Sequence, residues 1–353
     1  MLETNRCNER HSRPASRYTS PMFRLFRDSL GACLAPRGSV VCIGAFDGVH
    51  CGHRALLQRV RERADALGVE AVAISFEPIP REFFARSTPV PRLDDVRGKI
   101  RQIRATKMDL LLLLRFNAEL AAMPAEAFVE QILLNRLEVQ EVWVGEDFRF
   151  GHARSGNVDL LRTMGAVHGF RAEVFSEFTL GSQRVRSSAI RELLAEGDFV
   201  SARHLLGRPF KIGGHVVYGQ QLGRKLGYPT ANIRLGCRTS PISGIFAVRV
   251  HGVAEHSLPA VASLGIRPTV NGVEPLLEAH LFDFDGDLYG RRIDVEFVAK
   301  LRDEEKFSTL EAMVEQIDLD AAEARALLAT PQSDFPPDAA NKDGRVRSSG
   351  VFA

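Results

Sequence analysis

A chain of 353 residues is longer than one hydrophobic core usually organises, so two domains are expected. With 45% hydrophobic and 25% charged residues it reads as an ordinary globular protein, and a net charge of +2 gives no reason to expect nucleic acid as a partner. No apolar run reaches the roughly 20 residues of a membrane span, and five scattered cysteines point to reduced thiols and a cytoplasmic setting.

Residues 1–21 are polar and Arg-rich, have almost no apolar residue to bury, and are expected to form a disordered extension. Glu3, Glu9 and the missing apolar face count against a transit peptide, and Met22 is the simpler start of translation on this reading. From Met22 to about residue 175, strand-like runs alternate with helical patterns. Strands are expected at Val40–Ile43, Val72–Phe76, Leu110–Leu114, Glu141–Val144 and Ala172–Phe175. Helices are expected at about 53–67, 94–105, 124–136 and 157–168. The alternation implies a mainly parallel sheet covered on both faces, with ligands bound beyond the strand carboxyl ends.

The stretch after the first of these strands carries the most chemistry: Gly44-Ala45-Phe46-Asp47-Gly48-Val49-His50-Cys51-Gly52-His53. Its glycines allow turns and a close approach of backbone to a ligand. The helix that starts here offers free N–H groups and a positive dipole end, which suit phosphate. His50 and His53 add donors at the same spot, and no nucleophile is present. Read alone, the segment is equally a tight turn with two solvent-facing histidines. No cysteine pair or third ligand stands at zinc spacing.

Ser75–Pro80 and Gly145–Gly151 lie at two other strand ends and read singly as loops with buried aromatics. Further on, Ser187 and Ser188 stand at a helix start, either as caps or as phosphate contacts, with Arg191 one turn inward. After Gly207 the helical period disappears until about residue 308. Short β-rich runs at 210–217, 245–250, 260–264, 276–284 and 293–299 predict a small antiparallel barrel or sandwich.

Within it, Gly213, Gly214, Gly219, Gly223 and Gly227 precede Tyr228-Pro229-Thr230-Ala231-Asn232. The glycines form either a flexible turn or a phosphate cradle. Thr230 and Asn232 supply neutral oxygens suited to Mg²⁺ that already carries ATP phosphates. Glu278 shares a strand face with His280 and is either a salt-bridge partner or a base. Ser308-Thr309-Leu310-Glu311 reads as a capping box for a terminal helix whose apolar face is Leu310, Met313, Val314 and Ile317. From about 331 the chain is expected to be an unstructured tail.

The ten-residue histidine stretch resembles the G-x-F-D-G-x-H-x-G-H signature of nucleotidyltransferases in the form found in prokaryotic FAD synthetases. Ser187–Arg191 resembles their S-S-T-x-I-R signature, with Arg186 in place of the first serine and Ser188 in place of threonine. Ile79 stands where that family usually has histidine. Gly227–Asn232 is similar to the G-[FY]-P-T-A-N signature of riboflavin kinases. Together the motifs resemble the bifunctional riboflavin kinase/FAD synthetase family over roughly residues 22–330.

The resemblance implies a Rossmann-like nucleotidyltransferase domain at 22–206 and a riboflavin kinase barrel with a terminal helix at 207–330, and the shift in periodicity near Gly207 leads to the expectation that 207–330 folds and works alone. It implies riboflavin, FMN and ATP as substrates and Mg²⁺ or another divalent cation as cofactor. It makes His50 and His53 the catalytic donors of adenylyl transfer. Gly44, Phe46, Asp47, Gly48, Gly52, Ser187, Ser188 and Arg191 would bind that ATP. In the kinase, Gly223, Gly227, Thr230 and Asn232 would bind ATP, with Thr230 and Asn232 on the metal, Glu278 as general base and Arg302 at the flavin. No membrane or nucleic acid partner is implied, and self-association stays open. Two rival readings are a riboflavin kinase with a weakened or lost adenylyltransferase site, favoured by Ile79 and Arg186, and a non-catalytic flavin- or nucleotide-sensing module.

Overall fold

The computed structural model describes residues 22–27, 31–85, 90–219, 223, 227–235, 239–269 and 272–329, with no side chains described at 266–274. The segments expected to be disordered, 1–21 and 331–353, lie outside the described residues, as do Cys7 and Cys237.

The first unit runs β1 (Arg24–Phe26), β2 (Ser39–Ile43), α1 (Cys51–Leu67), β3 (Glu70–Glu77), α2 (Pro80–Phe84), α3 (Val96–Ala105), β4 (Leu110–Arg115), α4 (Ala118–Ala122), α5 (Ala125–Phe128), β5 (Val139–Gly145), α6 (Val158–His168) and β6 (Arg171–Phe175). Its six strands pair in parallel in the order β1-β4-β3-β2-β5-β6. All five strands expected from the sequence are present. The sixth, β1, is three residues long and half exposed, too short to leave a period in the sequence. The helix expected at 124–136 is α5 followed by a π-helical stretch, Val129–Leu134.

Every residue of β2 is buried. Val41 and Ile43 enter one core with Val72, Ile74 and Leu112, while Val40 and Cys42 enter another with Leu57, Val60 and Ile103. This two-sided burial is why β2 reads as a continuous apolar run. The chain steps from β2 outward through β3 to β4, then returns to place β5 on the other side of β2. The reversal leaves a crevice at the carboxyl ends of β2 and β5, the usual ligand position on such sheets.

A short hairpin, β7 (Thr179–Leu180) and β8 (Gln183–Arg184), leads into α7 (Ser187–Ala195) and α8 (Phe199–Leu206). The second unit follows: β9 (Lys211–Val217), β10 (Ala231–Arg234), β11 (Gly244–His251), β12 (Leu258–Thr269), β13 (Gly272–Leu281), β14 (Arg292–Arg302) and α9 (Leu310–Ala329). Its strands close into an antiparallel barrel, ordered β10-β13-β12-β11-β14-β9. The β10 strand was hidden in sequence by its four-residue length beside the glycine run.

Helices α7 and α8 precede the boundary expected at 206/207, yet their apolar side joins the barrel's core. Phe199 stacks on Phe297 with ring centroids 6.0 Å apart and meets Phe246 edge-on at 5.9 Å. The start of α9 differs from the expected capping box. Thr309 is the cap, its hydroxyl accepting the Ala312 N–H at 3.2 Å, one residue past Ser308. Of the expected apolar face, Met313, Val314 and Ile317 are half-buried, and Leu310 is the correction. Leu310 is 48% exposed, and the buried positions are Asp320, Ala324 and Leu328. The reason is that the C-terminal half of α9 packs on Ala247, Val261 and Phe282 of the barrel.

Candidate active sites

The first site forms where β2 turns into α1. Phe46, Gly48 and Val49 all take positive φ, at 47°, 84° and 36°. A Cβ at Gly48 would lie 2.8 Å from Leu93, so the turn needs a glycine there. Phe46 is fully buried and packs edge-on against His53, with centroids 5.2 Å apart. It therefore shapes the turn from below.

His50 is the N-cap of α1. Its Nδ1 accepts the His53 backbone N–H at 3.3 Å, which leaves the proton on Nε2 and makes that nitrogen a donor. The two imidazoles stack with centroids 3.7 Å apart. The Nδ1 of His53 is buried without a hydrogen-bond partner. Burial pushes His50 down to about 4, and burial, followed by the neighbouring His50 and Lys99, holds His53 well below the ordinary imidazole range. Both rings are thus neutral near pH 7 and ready to gain charge when an anion arrives.

Helix α7 approaches the same turn. Its N-cap, Arg186, is exposed and makes no side-chain capping bond, so Ser187 and Ser188 are the first helical residues and not caps. The Ser187 hydroxyl donates to the Asp47 carbonyl at 3.1 Å. The N-termini of α1 and α7 therefore meet at Asp47, and both present positive dipole ends.

Asp47 itself is only 3% exposed. Its carboxylate accepts from Arg191 at 2.6 Å and from the N–H groups of Leu93 and Asp94 at 3.1 and 3.4 Å, with Arg92 Nε at 3.5 Å. Arg191 also donates to the Pro91 carbonyl at 2.7 Å. Asp47 is spent on holding Arg191 and the 91–94 segment beside the turn.

Sequence reading missed two buried cations here. Arg92 joins Glu77 and Glu82 at 3.1 and 2.7 Å. Lys99, fully buried, donates to the Phe76 carbonyl at 2.9 Å and pairs with Glu77 at 3.3 Å. Lys99 was legible in principle, because helical spacing puts it on the stripe of Val96, Ile100 and Ile103. Both cations fasten the Ser75–Pro80 loop, whose Ile79 is buried and makes no side-chain capping bond. The Gly145–Gly151 loop stacks Phe148 on Phe150, 5.5 Å apart. Gly151, at φ 72°, lies so close to Ala125 that a Cβ would stand 2.6 Å from its Cα.

The second site lies on the barrel. Ala231 and Ile233 point into the core, so Asn232 between them faces outward. Its register partner is Glu278 on β13, whose neighbours Leu277 and Ala279 are likewise core residues. Asn232 and Glu278 are therefore cross-strand neighbours on one face. Asn232 is only 5% exposed, and its Oδ1 is buried without a hydrogen-bond partner. Its Nδ2 donates to the Thr230 carbonyl at 3.2 Å. Gly219 packs flat on this amide, where a Cβ would stand 2.7 Å from Nδ2. Gly223 accepts the Tyr228 N–H at 2.8 Å, and Gly227 takes φ 87°.

Thr230 and Asn232 line a cleft of about 420 Å³ with Asp285, Asp287 and Tyr289. His280, on the Glu278 face, bonds through Nδ1 to the Pro229 carbonyl at 2.9 Å. Arg302 is engaged elsewhere: Nε and Nη2 reach Asp320 of α9 at 2.9 and 2.7 Å, and the guanidinium stands over Phe307 at 5.7 Å.

Two family models match the chain, FAD synthetase over residues 34–189 and riboflavin kinase over residues 206–328. Three curated relatives are each described as a bifunctional riboflavin kinase/FMN adenylyltransferase. That of Pseudomonas fluorescens is 47% identical over 83% of this chain and 94% of its own length. Those of Escherichia coli K12 and Haemophilus influenzae are 42% and 41% identical, over 86% and 82% of this chain and 97% and 94% of theirs. A crystal structure of a macrolide-efflux protein from Streptococcus pneumoniae superposes with a TM-score of 0.70 at 26% identity, covering 86% of this chain and 98% of that one. Among the described residues, no helix is long and apolar enough to cross a membrane.

Proposed function

The chain belongs to the bifunctional riboflavin kinase/FMN adenylyltransferase family, and from that premise we propose which residues carry each of its two reactions. The protein is a transferase of both kinds: it phosphorylates riboflavin with ATP to give FMN, then adenylylates FMN with ATP to give FAD and pyrophosphate. The reading assigns the second reaction to about residues 22–206 and the first to about 207–330.

In the kinase, the observation that carries the assignment is the buried, unpartnered Oδ1 of Asn232 directly across from Glu278. A buried carbonyl oxygen with no donor suits a cation ligand, and Thr230, which lines the same cleft, adds a neutral hydroxyl, so these residues fit Mg²⁺. When bound, Mg²⁺ would neutralise charge on the ATP phosphates. Glu278 takes the proton from the riboflavin 5′-hydroxyl as that oxygen attacks the γ-phosphorus. Gly223 and Gly227 add no side chain of their own on the ATP side. His280 holds Pro229, and through it Thr230. Arg302 acts through α9, with Asp320 keeping its guanidinium in place.

In the adenylyltransferase, the FMN phosphate is already ionised and needs no base to attack the α-phosphorus. The site works by positioning and by charge stabilisation. In this reading His50 Nε2–H, His53 and the N–H groups at the starts of α1 and α7 receive the ATP phosphates. The Ser188 hydroxyl joins them, and the Ser187 hydroxyl would join by turning from the Asp47 carbonyl. Arg191 adds positive charge from a position fixed by Asp47. Incubating the purified protein with riboflavin, ATP and Mg²⁺ tests the reading: FMN should appear first and FAD after it.

A further inference from the structure

A cleft of about 530 Å³ opens between the two units. One wall is α3 with the 92–95 segment, and the other comes from β9, β14 and residues 239–240. Among the described residues, four contacts bridge the units around it. Arg92 N–H donates to the Thr239 carbonyl at 3.1 Å, and the pairs Arg101–Asp294, Arg208–Asp94 and Arg292–Asp95 close at 2.8, 2.6 and 3.2 Å.

Among the described residues, three polar side-chain atoms of the lining are buried without a hydrogen-bond partner: Arg208 Nη1, the Thr239 hydroxyl and Asp294 Oδ1, the last with a 3.7 Å ion pair to Arg292. A fourth, Arg92 Nε, belongs to a side chain only 4% exposed and has only the 3.5 Å ion pair with Asp47. Buried polar groups are nearly always bonded, so several unmet ones in a single concavity call for a ligand. Arg208 and Thr239 call for an acceptor bearing negative charge. Asp294 calls for a hydroxyl or amine. Leu93, Ile212 and Leu235 leave an apolar wall between them. The volume accommodates a molecule of nucleotide size.

We propose that this cleft is a third nucleotide site, taking the phosphate on Arg208 and the Thr239 hydroxyl, a sugar or polyol hydroxyl on Asp294, and the ring on Leu93, Ile212 and Leu235. Adenosine phosphates and FMN share this chemistry. An occupant would bear on the Leu93 and Asp94 N–H groups that hold Asp47, and so on the turn that positions Arg191.

The test is equilibrium dialysis of the full chain with ADP and, separately, with FMN, for wild type, Thr239→Val and Asp294→Asn. One class of sites for one nucleotide should weaken about two- to tenfold in each variant, as expected for one lost hydrogen bond, while the other classes stay unchanged. An effect in the ADP arm identifies an adenosine phosphate as the occupant, and one in the FMN arm identifies the flavin. Asp294→Asn also disturbs the pair with Arg101, so Thr239→Val, which swaps hydroxyl for methyl at constant shape, decides. Unchanged binding of both nucleotides by a folded Thr239→Val protein would overturn the proposal.

Discussion

Asp47 and Arg191, 144 residues apart in the chain, meet at 2.6 Å with the carboxylate almost wholly buried. This pair joins the loop after β2 to the first turns of α7, so it holds together the two halves of the proposed adenylyltransferase site. Asp47→Asn keeps the shape but leaves Arg191 and Arg92 without their shared anion. Breaking a buried pair from one side typically costs about 3–5 kcal/mol. Urea unfolding should show a loss of that order, and FAD formation should fall with it. Stability within about 0.5 kcal/mol of wild type would mean that the pair is incidental.

Much of this site was legible in the sequence, and the part that was not has a physical cause. The histidine turn and the serine pair stood out through their resemblance to the nucleotidyltransferase signatures, and the structure brings them together at the Asp47 carbonyl. The burial of Asp47 did not show, because a motif gives residue type and spacing but not which lone pairs are already taken. Arg302 stood out as a charge near the flavin end, and nothing local reveals that Asp320, eighteen positions on, takes its guanidinium. The parallel sheet was readable because β2, β3 and β4 are apolar on both faces. Strands β1 and β10 were not, since three and four residues are too few to establish a period.

His53→Ala should suppress FAD formation and spare FMN formation. Losing one preorganised transition-state donor typically costs about 10²–10³ in rate. The check is to supply FMN and riboflavin in separate assays of the folded variant. Undiminished FAD synthesis would remove His53 from the mechanism.

The buried histidines predict an acid-sensitive fold. His50 titrates at about 4 when folded, against an ordinary value of 6.5. Between those values the unfolded chain holds a proton that the folded chain lacks. Stability from this group is therefore complete above about pH 6.5 and is lost as pH falls toward 4, by an amount on the order of 3 kcal/mol. His53 acts in the same direction. His50→Asn keeps an N-cap acceptor without a titrating group, so its unfolding free energy should fall less between pH 7 and pH 5 than that of wild type. Equal slopes would assign the acid sensitivity to other groups.

The aromatic stack of Phe199 on Phe297 bears on where the kinase unit starts. A fragment of residues 207–330 carries every kinase motif but lacks Phe199, Leu205 and Leu206 from its core. Removing one buried phenylalanine side chain costs about 3–5 kcal/mol. The fragment 197–330 should therefore unfold at a higher urea concentration than 207–330 and phosphorylate riboflavin with higher specific activity. Equal stability would show that α8 only rests on the barrel.

The division of labour between the two sites is tested most directly by Glu278→Gln. Gln matches Glu in size but cannot accept the proton, and loss of a general base typically costs about 10²–10⁴ in rate. With riboflavin, ATP and Mg²⁺ supplied and products resolved over time, the variant should form almost no FMN. With FMN and ATP supplied instead, it should form FAD at the wild-type rate, because the proposed adenylyl-transfer chemistry is at His50, His53 and the start of α7. Persistent FMN formation would contradict the base assignment, and loss of both activities in a folded variant would contradict the independence of the two sites.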